Sequence, residues 1–378
     1  MILKSLRRIS NFKITSLIEY EVKDMDILKV EGSNHREVGI KIGKQTKEKI
    51  HYFLSVPYNR SKIEKILDSR DLLSTVQKEC EIFAPELLEE LEGIAIGSGI
   101  SFEKLFAFNI LDSMGNLPFS AIDCSSIVEK IDSKVYFGHN EDWSSGTNGL
   151  FMLDMRINDV SIFAFTYYGL LSGISFSKNS YEIFFTMNGL VCNDLRIGVP
   201  RSFVNRKVIQ SRSIEEAIEI IKSTKRSRGQ NYNIFTKDEI VNIESSATDL
   251  FVRRNLDVLY HTNHYTMKDM LKYENHRSEF SMKQSRFRLL TIEKLSKRLK
   301  NLPPEERYIK ILSSHEIYPF TLCIHDLELS DGKRVKTFAT VVGSTDGRIL
   351  ATFDNPCYGK FQEINTRFER RNETHEFH

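Results

Sequence analysis

No stretch of this chain approaches the roughly 18 consecutive apolar residues of a membrane-spanning helix, which sets aside a helical membrane protein. Net charge is nearly absent as well. The 53 basic and 51 acidic side chains leave +2, too little for a general attraction to nucleic acid or to an anionic bilayer. Cysteine is sparse: five residues scattered over 378 positions, an odd number that argues against a disulfide framework. The basic start, Met1-Ile2-Leu3-Lys4-Ser5-Leu6-Arg7-Arg8, is not followed by an unbroken apolar core with a small-residue cleavage site, so the expected location is cytoplasmic. There is no internal repeat and no low-complexity linker. Lys222 to Arg228 is basic, but it falls at the C-terminal end of a predicted helix, where cations favour the dipole.

Against these absences stands enough apolar material for a sizeable core: 40% of the chain is hydrophobic and 11% aromatic. The chain is expected to form one domain, 1–378, with a mainly helical segment over 1–123 and a β-rich segment over 124–378. In the first, Asn34 and Glu37 resemble a capping pair. Pro85 opens a helix with Leu87, Leu88, Leu91, Ile94 and Ala95 on one face, Gly97 and Gly99 are expected to stop it, and Ser101 caps the next. In the second, strands are expected at 134–138, 151–157, 160–167, 181–187 and 239–244. A capping box at Ser213 and Glu216 starts one helix, and another is expected over 286–300, stopped by Pro303-Pro304. Asp331-Gly332 and Asp346-Gly347 read as hairpin turns. Strands framed by helices suggest stacked sheets under helical layers, an α+β fold.

The residue that carries chemistry is Cys124, in the polar run Asp123-Cys124-Ser125-Ser126. Cleavage of the bond before it would place an α-amino group, pKa about 7.7 to 8.0, on the same residue as a thiol of about 8.5. One residue then serves as nucleophile and base. Asp142, in Gly138-His139-Asn140-Glu141-Asp142-Trp143, is placed to hold that amine, or else closes a turn. Cys80, Cys192, Cys323 and Cys357 read as small packed hydrophobes. His261 and His264 have metal-like spacing without a third ligand, and no metal or cofactor is expected. His139 lacks the surroundings of a Cys-His peptidase pair. The stretch Phe163-Ala164-Phe165-Thr166-Tyr167-Tyr168 suits either core or an acyl pocket.

Further motifs lie in a fixed order. They are Gly32 with Glu37-Val38-Gly39 and Gly43, Pro85 to Ala95, Cys124-Ser125-Ser126, Gly138 to Trp143, Met187-Asn188-Gly189-Leu190, Asn231-Tyr232-Asn233 with Glu244, Thr262-Asn263-His264-Tyr265, and Ser285-Arg286. In this order they resemble the acyl-coenzyme A:6-aminopenicillanate acyltransferase family of N-terminal nucleophile hydrolases over most of the chain. The resemblance implies a four-layer αββα sandwich and autocleavage between Asp123 and Cys124, with the two chains staying associated. It implies Cys124 as nucleophile, Asp142 as the amine-orienting group, Asn263 as an oxyanion donor, Arg286 as the site arginine, and Ser126 and Ser285 in substrate binding. Asp123 stands where the family more commonly has Gly, and Arg288 competes with Arg286. The implied reaction is hydrolysis of a small linear amide through a cysteinyl thioester; the alternative is acyl transfer from acyl-coenzyme A. An uncleaved, non-catalytic binding protein of the same fold is the rival from another class.

Overall fold

A computed structural model describes residues 27–111, 123–145, 149–275, 278–328, 334–366 and 368. The Asp331-Gly332 turn lies outside them. The helices are α1 His35–Ser55, α2 Pro57–Leu67, α3 Arg70–Phe83, α4 Pro85–Ser98, α5 Phe102–Asn109, α6 Arg201–Val208, α7 Ile214–Ser223, α8 Glu279–Arg298 and α9 Pro304–Leu312. The strands are β1 Ile27–Gly32, β2 Asp123–Ile131, β3 Lys134–Ser144, β4 Leu150–Ile157, β5 Val160–Tyr167, β6 Ser177–Asn179, β7 Phe184–Gly189 and β8 Gln230–Phe235. They continue with β9 Ile240–Ser245, β10 Leu250–Arg253, β11 Val258–His261, β12 Leu327–Glu328, β13 Arg334–Ser344, β14 Ile349–Thr352 and β15 Gln362–Ile364.

They build two sheets: one of eight strands in the order β1-β4-β5-β6-β7-β8-β9-β10, and one of seven in the order β11-β2-β3-β13-β14-β15 with β12 on β13. The sheets meet through apolar inner faces. Phe137 of β3 packs on Phe176, Phe184 and Phe235, ring centroids 5.2, 5.6 and 5.4 Å away. Helices α1, α4, α6 and α7 cover the outer face of the larger sheet, and α8 and α9 that of the smaller, where Gly138 of β3 touches Tyr308 and Leu312. The architecture is therefore the four-layer αββα arrangement expected above.

Local signals explain most boundaries. Asn34 Oδ1 accepts from Glu37 N at 2.9 Å and Ser213 Oγ from Glu216 N at 3.1 Å, each starting its helix as an N-cap should. Gly97 departs from expectation, since α4 runs through it to Ser98 and ends on left-handed Gly99. The reason is packing. Gly39 and Gly43 of α1 face Gly93 and Gly97 of α4 so closely that a Cβ on any of the four would strike a backbone carbonyl oxygen of the other helix. The strand expected from 181 begins at Phe184 instead, because Glu182 takes a positive φ of 56° in a turn. The helix expected from 286 begins at Glu279, capped by Ser278.

Candidate active site

Strands β2 and β3 form an antiparallel hairpin that pairs Asp123 with Asp142, Cys124 with Glu141, Ser125 with Asn140, and Ser126 with His139. Side chains alternate along a strand, so Cys124, Ser126, His139 and Glu141 face the larger sheet, while Ser125, Asn140 and Asp142 face the α8–α9 layer. All seven are buried.

On the inner face the Cys124 thiol donates toward Glu141 Oε2 at 3.6 Å, His139 Nε2 lies 3.5 Å from the same oxygen, and the Tyr167 hydroxyl donates to Oε1 at 3.1 Å. Burial, then the charge of Glu141, pushes the Tyr167 phenol well up, so it stays a donor. Ser126 Oγ bonds His139 Nδ1 at 2.9 Å and donates to Asn188 Oδ1 at 3.0 Å. Asn188 Oδ1 also accepts from Asn231 and Asn233, whereas its Nδ2, among the described residues, has no hydrogen-bond partner. Beside this cluster opens an apolar pocket bordered by Tyr58, Phe108, Leu111, Leu170 and Trp143, whose ring centroid sits 4.7 Å from that of Tyr167.

The backbone of Cys124 is held from the other side. Its N–H donates to Asn263 Oδ1 at 2.9 Å, and its carbonyl oxygen accepts from Arg288 Nη1 at 2.8 Å. Arg288 also donates to Ser125 Oγ at 2.9 Å and to Asn263 Oδ1 at 2.7 Å, and its Nη1 lies 3.9 Å from Asp142 Oδ2. Thr337 Oγ1 donates to Asp142 Oδ1 at 2.5 Å. Asn263 Nδ2 donates to the Gly189 carbonyl at 3.2 Å, and Asn263 N donates to Ser285 Oγ at 2.8 Å. Burial, then nearby His261, Arg286 and Arg288, lowers the His264 pKa to about 3, and this neutral ring bonds Ser285 Oγ at 2.7 Å.

Cys124, Ser126, Asp142, Asn263 and Ser285 thus converge, with Asp123 opening the same hairpin. Arg286 is exposed, while Arg288, three residues after Ser285 and so on the same helix face, is fully buried at Cys124. Glu141 and Asn188 stood in the sequence only as members of longer motifs, with no role of their own. Strand alternation from Cys124 would have found Glu141, because a register pair across a hairpin shares one face.

His261 and His264 part company: His261 pairs with Glu244 at 2.9 Å, away from the Ser285 bond of His264. Burial would raise the Glu244 pKa, but its bonds to His261 and Thr266 outweigh burial and keep it below the usual range. Among the described residues two other groups bring at least three metal-ligating atoms within 4.8 Å of one another: Cys124, His139 and Glu141, and His315, Cys323, His325 and Cys357.

A curated relative, the beta-alanyl-dopamine/carcinine hydrolase of Drosophila melanogaster, is 24% identical over 212 residues, covering 50% of this chain and 55% of that protein. The chain thus spans about half the length of the relative it matches. Among solved structures, penicillin V acylase from Agrobacterium tumefaciens aligns over 61% of this chain and 82% of its own, at 8% identity and a TM-score of 0.36. The sequence model of the acyl-coenzyme A:6-aminopenicillanic acid acyl-transferase family matches residues 129–355, beginning five residues after Cys124 and spanning more than half of the chain, so this protein belongs to that family of amide-bond hydrolases and acyltransferases.

Proposed function

We propose that this protein hydrolyses a small linear amide through Cys124, freed as an N-terminal residue by cleavage after Asp123. The observation that carries the reading is the double hold on Cys124. Its backbone nitrogen rests on Asn263 and its carbonyl on Arg288, so an α-amine released there is already anchored beside its own thiol. The amine takes the thiol proton, the sulfur attacks the amide carbonyl, and the tetrahedral oxyanion collapses to a thioester as the protonated amine departs. Water, deprotonated by the same α-amine, then releases the acid. Asn263 Nδ2 and the unpartnered Asn188 Nδ2 supply oxyanion donors, and Asp142 holds Arg288 in place.

The acyl group is proposed to carry an amine. Glu141 puts a buried carboxylate 3.6 Å from the thiol, and a buried carboxylate favours a cationic partner. The β-alanyl group named for the Drosophila relative ends in a primary amine. The test has two arms. Intact mass of active protein should show chains 1–123 and 124–378, with Cys124→Ala uncut and inactive; activity in a wholly uncut preparation would reject the mechanism. Glu141→Gln should lower kcat/KM for a β-alanyl amide by about tenfold or more while sparing the butanoyl amide of equal length. An equal loss on both substrates would assign Glu141 to the nucleophile and remove the cation preference.

A further inference from the structure

At the far end of the smaller sheet, three stretches of the chain bring together two thiols and two imidazoles. His315 follows α9, Cys323 and His325 lie two residues apart in the extended segment before β12, and Cys357 sits in the 3-10 turn Pro356–Tyr358 after β14. Their donor atoms all lie within 4.8 Å of one another. His325 Nε2 is at the centre, 3.0 Å from His315 Nε2, 3.1 Å from Cys357 Sγ and 3.5 Å from Cys323 Sγ. One ring nitrogen carries at most one proton, so it cannot hydrogen-bond all three neighbours at once. A cation among the four satisfies them together. Tetrahedral zinc, with its usual bonds to nitrogen and sulfur, sets donor-to-donor separations of about 3.3 to 3.8 Å; the three from His325 run from 3.0 to 3.5 Å and the rest stay within 4.8 Å, so shifts of a few tenths of an ångström to about 1 Å would seat the ion.

The surroundings are those of a ligand set. The outward Nδ1 of His325 lies 3.4 Å from the Tyr358 hydroxyl, and the Asn355 amide donates to Cys323 Sγ at 3.3 Å. Metal-bound imidazoles and thiolates are characteristically oriented by such outer bonds. Cys323 is buried, whereas His315, His325 and Cys357 are exposed, which leaves an entry path.

We propose that His315, Cys323, His325 and Cys357 form a structural zinc site, distinct from Cys124 and independent of the reaction proposed there. Its four ligands fill a tetrahedral shell, which leaves the ion no open position for catalysis. What it does is clamp the 313–326 segment to the β14–β15 connection. That segment is tied in turn to the hairpin of Cys124: Asn140 Nδ2 donates to the Leu322 carbonyl at 3.0 Å, and Ile324 N donates at 2.9 Å to Thr337 Oγ1, the hydroxyl that bonds Asp142.

The test is elemental analysis of protein purified without chelators and re-equilibrated with zinc, followed by cobalt substitution. One zinc per chain is expected, with intense visible cobalt bands of a tetrahedral site and a near-ultraviolet thiolate-to-cobalt band. Chelation should lower the melting temperature. His315→Ala and Cys357→Ser, both at exposed positions that the fold tolerates, should each cut retained zinc at least several-fold, while Cys124→Ala keeps it. Three results overturn the proposal: no zinc bound after re-equilibration, undiminished zinc in both ligand variants, or a Cys323–Cys357 disulfide in protein purified under reducing conditions.

Discussion

At the scale of single residues, the two arginines of α8 test the site most directly. Arg288 is enclosed by Cys124 O, Ser125 Oγ, Asn263 Oδ1 and Asp142, so Arg288→Ala strips donors from three buried acceptors and removes a charge. Breaking one side of a buried charge pair costs about 3 to 5 kcal/mol, and the variant should neither cleave before Cys124 nor turn over. Arg286→Ala, at an exposed position, should leave kcat within about twofold. Comparable losses in both, measured as turnover per cleaved molecule, would put the site arginine elsewhere. Asn263→Ala should abolish the anchor on the Cys124 nitrogen and leave a buried Arg288 donor unmet, lowering the melting temperature by a few degrees, and in folded molecules already cut it should lower kcat by about 100- to 1,000-fold. Near-normal turnover there would reduce Asn263 to architecture. Cys124 and Asp142 were legible in the sequence because each lies in a polar run beside β-rich segments, whereas Asn263 and Ser285 drew attention only through the family resemblance of their motifs. The choice of Arg288 over Arg286 was not legible, since it depends on which way α8 turns on the sheet.

At the scale of elements, the crossing of α1 and α4 shows where sequence patterns mislead. Gly97 reads locally as a stop signal, yet its missing side chain makes room for the Ile40 carbonyl of the facing helix. No periodicity within α4 records that neighbour. Gly97→Ala should therefore destabilise by overpacking, at about 1 to 3 kcal/mol, lowering the melting temperature by several degrees, while Ile96→Ala next to it, at a 55% exposed position, should change it little. Equal effects in the two would mean that the helices do not approach as described. A second joint, between α4 and α6, is electrostatic. Arg206 donates to both carboxylate oxygens of Glu90 at 3.0 and 2.8 Å. Burial alone would raise the Glu90 pKa, but Arg206 and His35 outweigh it and bring it to about 2. Because the folded value lies below the unfolded one, the stability from Glu90 is present above about pH 4.5 and is lost as pH falls toward 2. The stability gap between wild type and Glu90→Gln, read from urea midpoints, should narrow over that interval; a gap that is constant with pH would deny the pair this role.

For the molecule as a whole, the question is what keeps the two proposed chains together after the bond before Cys124 breaks. Segment 1–123 supplies β1, which lies parallel to β4 through six register pairs from Ile27–Met152 to Gly32–Ile157. It also supplies α1 and α4, whose apolar faces join the core that covers the larger sheet. Neither part can bury its own apolar face alone. Ion pairs add to the joint: Glu90 with Arg206, fully inside, and Glu86 with Lys207 at 2.5 Å, partly exposed and so worth little. Cleaved protein should therefore run as one species in size exclusion at neutral pH and come apart only in denaturant. Acid should promote separation in the interval where Glu90 takes up its proton, since that removes the one fully buried charge pair described between the segments. Loss of the small chain from cleaved protein at neutral pH, with the large chain still folded and active, would show that residues 124–378 carry the site by themselves and that the helical segment is dispensable once the nucleophile is exposed.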